Sequence, residues 1–302
     1  MTTGLPEPPI AEQDVGLGTA YERVAIYDLF DRWAAGRSIA TAAEGPLDGM
    51  AGIAGLHLMG LARRGVRVTV HLPDDGGLAR VRAMYSNQGI SDRLTTQKAA
   101  TDAVPAGPCD VVVSYNALPC VPDWRSYLAR LLAVDARWFF VVVSNPVSYG
   151  TYLRRAQRAM RGERARELFD QEVTRRAVIE PEIERVARIA AHDYLDCPWW
   201  PDFVLPARKN LAGDALALAK RVGSVAGFGG RDPRSTGASK AAGSNGAARR
   251  YVFGADRYPF FEGAEGYAEL RSSMRLHPVF DRAPEPLARF FGHLHGYLVE
   301  RR

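Results

Sequence analysis

Apolar side chains between positions 21 and 35 fall at 21, 24, 25, 26, 29, 30 and 33. That spacing predicts a helix with one broad apolar face. Beyond it the pattern alternates. Short apolar runs at 38–43, 66–72, 110–114 and 138–144, with a weaker one at 93–99, predict strands. The stretches 53–64, 77–88 and 123–134 between them predict helices. Runs such as CDVVVS and WFFVVVS are apolar at nearly every position, as parallel strands covered by helices on both faces must be. Strands and crossovers in this rhythm predict a doubly wound α/β sheet.

After Asn145 the texture changes. Residues 151–191 read as largely helical and rich in both signs of charge, and 179–191 predicts an amphipathic helix with Pro181 in its first turn. HDYLDCPWWPDF at 192–203 reads as a strand running into a Pro-bounded loop. Residues 223–249 are dominated by Gly, Ala and Ser and predict a flexible insertion. A strand-like pattern resumes near 250–253, and 284–300 predicts a final helix. The expected organisation is a flexible N-terminus at 1–18 and a core at 19–222. The insertion at 223–249 follows, and 250–302 completes the domain with the last strand and a C-terminal helix.

Composition narrows the class without choosing a function. The 302 residues are 47% hydrophobic and 24% charged, an ordinary globular profile. The net charge of +5 is a weak field for this length, and all but four of the 39 basic residues are Arg. Three cysteines (Cys109, Cys120, Cys197) without a C-x-x-C pair point to reduced thiols and a cytoplasmic setting. No apolar run approaches the roughly 18 residues of a membrane helix, and the start has no signal-peptide pattern.

The most informative segment is the turn after the first predicted strand. SIATAAEGPLDGMAG places Glu44 at the strand end, followed by Gly45, Pro46, Asp48, Gly49 and Gly52 and then a helix. In an open α/β sheet, ligands bind where a strand's carboxyl end meets the next helix's N-terminus. The acid suits a hydroxyl-bearing or cationic ligand better than a pyrophosphate, and G-x-G-x-x-G is absent. The bland alternative is a tight turn with close helix packing.

The order of these pieces resembles a class I S-adenosylmethionine-dependent methyltransferase. AAEGPLDGMAG is similar to that family's first motif, and CDVVVSYNALPCVPDWRSYLARLL to its fourth. WFFVVVSNP resembles strand five, and IEPEIERVARIAAHDYLD the late helix entering strand six, with strand seven expected at 250–253. The resemblance covers about residues 20–200. It implies a seven-stranded, mostly parallel sheet with S-adenosyl-L-methionine across the carboxyl ends of strands one, two and four. It places Glu44, Gly45, Asp48 and Gly49 around the methionine moiety, and Ser114, Tyr115 and Asn116 beside the sulfonium and acceptor. The turn is compressed relative to the family's E-x-G-x-G-x-G. Where the family has a ribose-binding acid after strand two, this chain has His71, with Asp74 or Asp75 as substitutes. Asp102 is the candidate near the adenine.

Methyl transfer from a sulfonium needs mainly proximity and alignment, and a base only where the acceptor must lose a proton. Asn116 and Tyr115 are the candidate catalytic residues; capping the next helix is their structural alternative. His71 is expected to hydrogen-bond at the ribose. Asn145, Ser148, Tyr149 and Trp199 are candidates for an acceptor pocket. His192, Asp193, Asp196 and Cys197 are weighed as metal ligands and assigned to structure, and His293 and His295, two apart in the expected last helix, face different directions; no metal is expected. Arg154, Arg155, Arg158, Arg161, Arg164 and Arg166, with Glu163 among them, form a basic face read as solvated, with RNA contact as its alternative. The expected function is methyl transfer to a small molecule. A non-catalytic subunit of the same fold and an RNA methyltransferase stand as alternatives.

Overall fold

The computed structural model describes residues 17–45, 54–152, 171–196, 267–273, 279 and 283–302. Expectations for Asp48, Gly49, Trp199, the basic face, the 223–249 segment and the 250–253 strand lie outside them. Helix α1 (Leu17–Ala34) precedes strand β1 (Thr41–Glu44), and short α2 (Met59–Arg63) leads to β2 (Arg67–Leu72). Then come α3 (Asp75–Asn87), β3 (Leu94–Lys98), β4 (Cys109–Tyr115), α4 (Trp124–Leu132) and β5 (Ala136–Ser144). The chain continues with α5 (Arg176–Glu184), β6 (Ala187–Leu195), α6 (Tyr267–Ser273), α7 (Glu285–Phe291) and β7 (Leu294–Arg301).

These strands form one seven-stranded sheet in the order β3-β2-β1-β4-β5-β7-β6. All neighbouring pairs are parallel except those of β7, which runs antiparallel to both β5 and β6. This is the doubly wound, mostly parallel sheet that the resemblance implies. The chain order reverses at β1, which lies between β2 and β4. The carboxyl ends of β1 and β4 therefore flank a crevice.

The apolar strands are explained by two cores. Trp138, Phe140 and Val142 of β5 face a cluster built with α1, α2 and α3. Phe139, Val141 and Val143 of the same strand face a second cluster built with α4 and α5. Both faces of β5 are thus dry, and no polar alternation is tolerated.

The C-terminal part corrects three expectations. The helix expected at 284–300 is a helix only over Glu285–Phe291, and its second half is β7. Strand seven of the sheet is Leu294–Arg301, which follows the last described helix, whereas residues 250–253, where it was expected, lie outside the described residues. The helix expected at 179–191 ends at Glu184, and Ala187–Leu195 is the edge strand β6. In both segments the apolar residues happen to recur at helical spacing, while pairing with a neighbouring strand satisfies the backbone. A register shift between Ile189 and Ala191 marks a bulge in β6, as edge strands often carry. The helix expected at 53–64 is also shorter, with residues 54–58 in turns.

Candidate functional site

Glu44 ends β1 and is buried. Its Oε2 accepts a hydrogen bond from the Gly55 backbone N–H at 2.7 Å, and its Oε1 lies 3.4 Å from His57 Nδ1. The carboxylate thus draws the start of the α2 segment back onto the end of β1. Gly55 sits at φ +78° with Val70 and Val81 so close that a Cβ would stand 3.0 and 3.1 Å from them. Only glycine fits there without strain. At Gly45 a Cβ would approach the Tyr127 hydroxyl to 3.3 Å.

From Glu44 a chain of contacts crosses the carboxyl edge of the sheet. Arg23 of α1 donates from Nη1 to His57 Nε2 at 2.8 Å. His57 is therefore a neutral ring donating from Nδ1 towards Glu44, and burial lowers its pKa. Its ring stacks on Tyr115, at the end of β4, with centroids 3.9 Å apart. The Tyr115 hydroxyl donates to Glu22 Oε1, which Arg23 also reaches at 3.0 Å. Glu22 Oε2 lies 3.1 Å from Nδ1 of His293, and Asp196 Oδ2 lies 3.0 Å from the same nitrogen.

The charge states follow from these contacts. Burial opposes ionisation of Glu22, but Arg23, and then His293 and Tyr115, hold its carboxyl down at about 2. Burial opposes a charge on His293 as well, yet its bonds to Asp196 and Glu22 carry it up to about 9. Burial, followed by the Glu22 charge, raises Tyr115 well above the ordinary phenol range.

The remaining candidates each have partners. His71 is buried in β2, where Nδ1 donates to the Glu44 carbonyl at 3.0 Å and Nε2 meets the Gln97 carboxamide at 3.1 Å. Asp74 caps α3, accepting from Gly77 N at 2.7 Å, while Asp75 pairs with Lys98. Ser114 is buried one residue before Tyr115, and Asp102 is exposed. Asn116 accepts from both the backbone N–H (2.7 Å) and hydroxyl (3.0 Å) of Ser144, tying the ends of β4 and β5 together.

Asn145 donates to the carbonyls of Arg289 and Gly292, fastening the end of β5 to α7 and to the turn before β7. The Ser148 hydroxyl lies 3.0 Å from that of Thr151, and Tyr149 packs on Phe290 and Phe291. Among the residues weighed as metal ligands, His192 pairs instead with His295 at 3.1 Å and Asp193 accepts from Trp33 Nε1 at 2.9 Å. His295 lies in β7 with His293 just before it, not in a helix, and the two go to different partners.

Sequence reasoning missed Glu22, Arg23, His57 and the placement of His293. A signal existed for the first two: they are a charged pair inside the otherwise apolar run YERVAIY, on a helix whose large apolar residues build the core. His57 and His293 carried none.

Neither a protein-family model nor a curated protein sequence matches this chain. Solved structures to which it is similar include the MccD protein, with 6% identity over 92% of this chain and 96% of that one, at a TM-score of 0.46. The magnesium protoporphyrin IX methyltransferase ChlM from Synechocystis PCC 6803, with bound SAH, is 11% identical over 61% of this chain and 80% of its own, at a TM-score of 0.47. YjhP from E. coli is 12% identical over 98% of this chain and all of its own, at a TM-score of 0.46.

Proposed function

We propose that this chain, which has the class I methyltransferase fold, binds S-adenosylmethionine at the carboxyl ends of β1, β2 and β4 and methylates a small molecule. The observation that carries the reading is the buried carboxylate of Glu44 at the point where the strand order reverses. Among the described residues that carboxylate contacts the Gly55 N–H and a neutral imidazole, so a cationic ligand suits it. Bound S-adenosylmethionine supplies an activated methyl group on a sulfonium.

The protein's part is to bind and align. Glu44 and Gly45, with Asp48 and Gly49 in the turn, would hold the methionine moiety, and His71 and Asp74 would stand towards the ribose. Ser114 would border the sulfonium. Tyr115, whose hydroxyl is committed to Glu22, would position the floor of the site rather than act as a base at neutral pH. Asn116 would hold the β4–β5 edge that faces the acceptor. Asn145, Ser148, Tyr149 and Trp199 would border the acceptor pocket. Alignment of donor and acceptor is the main source of rate in such an in-line displacement.

Calorimetric titration with S-adenosylmethionine and with S-adenosylhomocysteine tests this on wild type, Glu44→Ala and His71→Ala. Micromolar binding, weakened at least about tenfold (about 1.4 kcal/mol) in a folded Glu44→Ala protein, is the expected result. A cooperatively folded wild type that binds neither compound overturns the reading and favours a non-catalytic subunit. Steeply salt-dependent affinity for RNA would instead move the acceptor to RNA.

A further inference from the structure

The carboxyl edge of the sheet holds a constellation that methyl transfer does not use. Glu22 comes from α1, Asp196 directly follows β6, and His293 directly precedes β7. One ligand-type atom from each lies within 4.8 Å of the other two. His293 Nδ1 is the common point, 3.1 Å from Glu22 Oε2 and 3.0 Å from Asp196 Oδ2. A single ring N–H cannot point fully at two oxygens lying in different directions. A tetrahedral shell with bonds of about 2.1 Å has edges of about 3.4 Å, so these atoms need only draw apart by a few tenths of an ångström to take neighbouring corners.

We propose that Glu22, Asp196 and His293 bind a divalent metal ion of the zinc class. The mixed set of one imidazole and two carboxylates is chemistry that zinc and cobalt accept. The outer shell is built as well. Glu22 Oε1 is held by the Tyr115 hydroxyl and Arg23, which turns Oε2 towards the site. The backbone N–H of His293 donates to the Asp196 carbonyl at 3.1 Å, clamping two of the ligand residues together. Charge points the same way. With His293 neutral, as a ligand must be, the carboxylates of Glu22 and Asp196 would face each other across the site, and a divalent ion would offset that like-charge repulsion. Asp196 is almost fully buried, whereas Glu22 and His293 keep side-chain exposures of 14% and 19%. Three protein ligands on a partly open rim leave room for water, as in zinc sites with an open position. The rival occupant of the same point is a proton on His293. This inference is independent of the methyltransferase reading.

The test is titration of the chelator-treated full chain with Zn²⁺ by calorimetry and with Co²⁺ by visible absorption. One equivalent should bind with a cobalt d–d band and no thiolate charge-transfer band. Affinity should fall more than about tenfold in His293→Gln and in Glu22→Gln, and by a similar factor in Tyr115→Phe through the outer shell. In wild type, Zn²⁺ should move the ¹⁵N resonance of His293 Nδ1, a readout that needs no substitution and stands even where a variant does not fold. Absence of binding by folded wild type, an unmoved His293 resonance, or affinity retained in folded His293→Gln would each overturn the proposal. The triad would then be a proton-held ion cluster.

Discussion

Asn116 occupies left-handed backbone, φ +48°, at the point where the chain leaves β4. An asparagine tolerates that conformation better than most side chains. Its carboxamide also receives two hydrogen bonds from Ser144. Asn116→Ala should therefore destabilise by roughly 2–3 kcal/mol, combining lost bonds with an unfavourable φ. Asn116→Gly keeps the backbone relaxed and should cost about 1 kcal/mol less. Urea midpoints decide the matter: equal losses in the two variants would show that backbone strain contributes nothing. The sequence marked Asn116 as a loop residue at the right strand end, but its bond to Ser144 spans 28 positions and exists only once β4 and β5 are paired.

At the scale of elements, β7 is the instructive case. Read linearly, Leu287, Phe290, Phe291, Leu294, Tyr297 and Leu298 fit a helix. In the sheet, Leu294 to Val299 are buried because β7 is inserted between β5 and β6 with cover on both faces. Gly296, which weakens a helix and a strand alike, is required by the neighbour across the interface. A Cβ there would stand 2.7 Å from Trp33 Cη2, 3.3 Å from Leu29 and 3.4 Å from Val142. Gly296→Ala should cost on the order of 2–3 kcal/mol by overpacking. Trp33→Leu in the same chain should recover part of that loss, and a double-mutant cycle showing no coupling would refute the contact.

For the whole molecule, the balance between β6, β7 and α5 is set partly by a half-buried neutral histidine, His192. His192 donates to His295 Nδ1, whose own Nε2 donates to the Thr174 carbonyl at 2.9 Å. The rings of Tyr194 and Tyr297 lie within 5 Å of the His192 ring, and Arg176 of α5 adds positive charge. Burial, then Arg176, pushes His192 down to about 4. The folded state prefers the uncharged ring, so its contribution is fully present above the ordinary histidine value near 6.5 and is lost as pH falls through 4. At about 1.4 kcal/mol per pKa unit the loss approaches roughly 3 kcal/mol. Urea unfolding of wild type and His192→Gln at pH 7, 5.5 and 4.5 should show the wild type losing more. Parallel losses in the two proteins would refute it.

The alternation of apolar runs and helical stretches through 144 was enough to establish a doubly wound sheet, because parallel strands buried on both faces leave a mark that depends on no partner's identity. The place of Glu44 at the end of β1 was legible as well, since a strand's end is marked by the local pattern. The order and direction of β6 and β7 were not, and neither was the gathering of Glu22, Arg23, His57, Tyr115, Asp196 and His293. Those residues come from α1, the segment before α2, and the ends of β4, β6 and β7. Hydrophobic periodicity reports which side of an element is dry, but not which distant element covers it. Contacts between side chains more than 270 positions apart, such as Glu22 and His293, arise only when the sheet closes around β7.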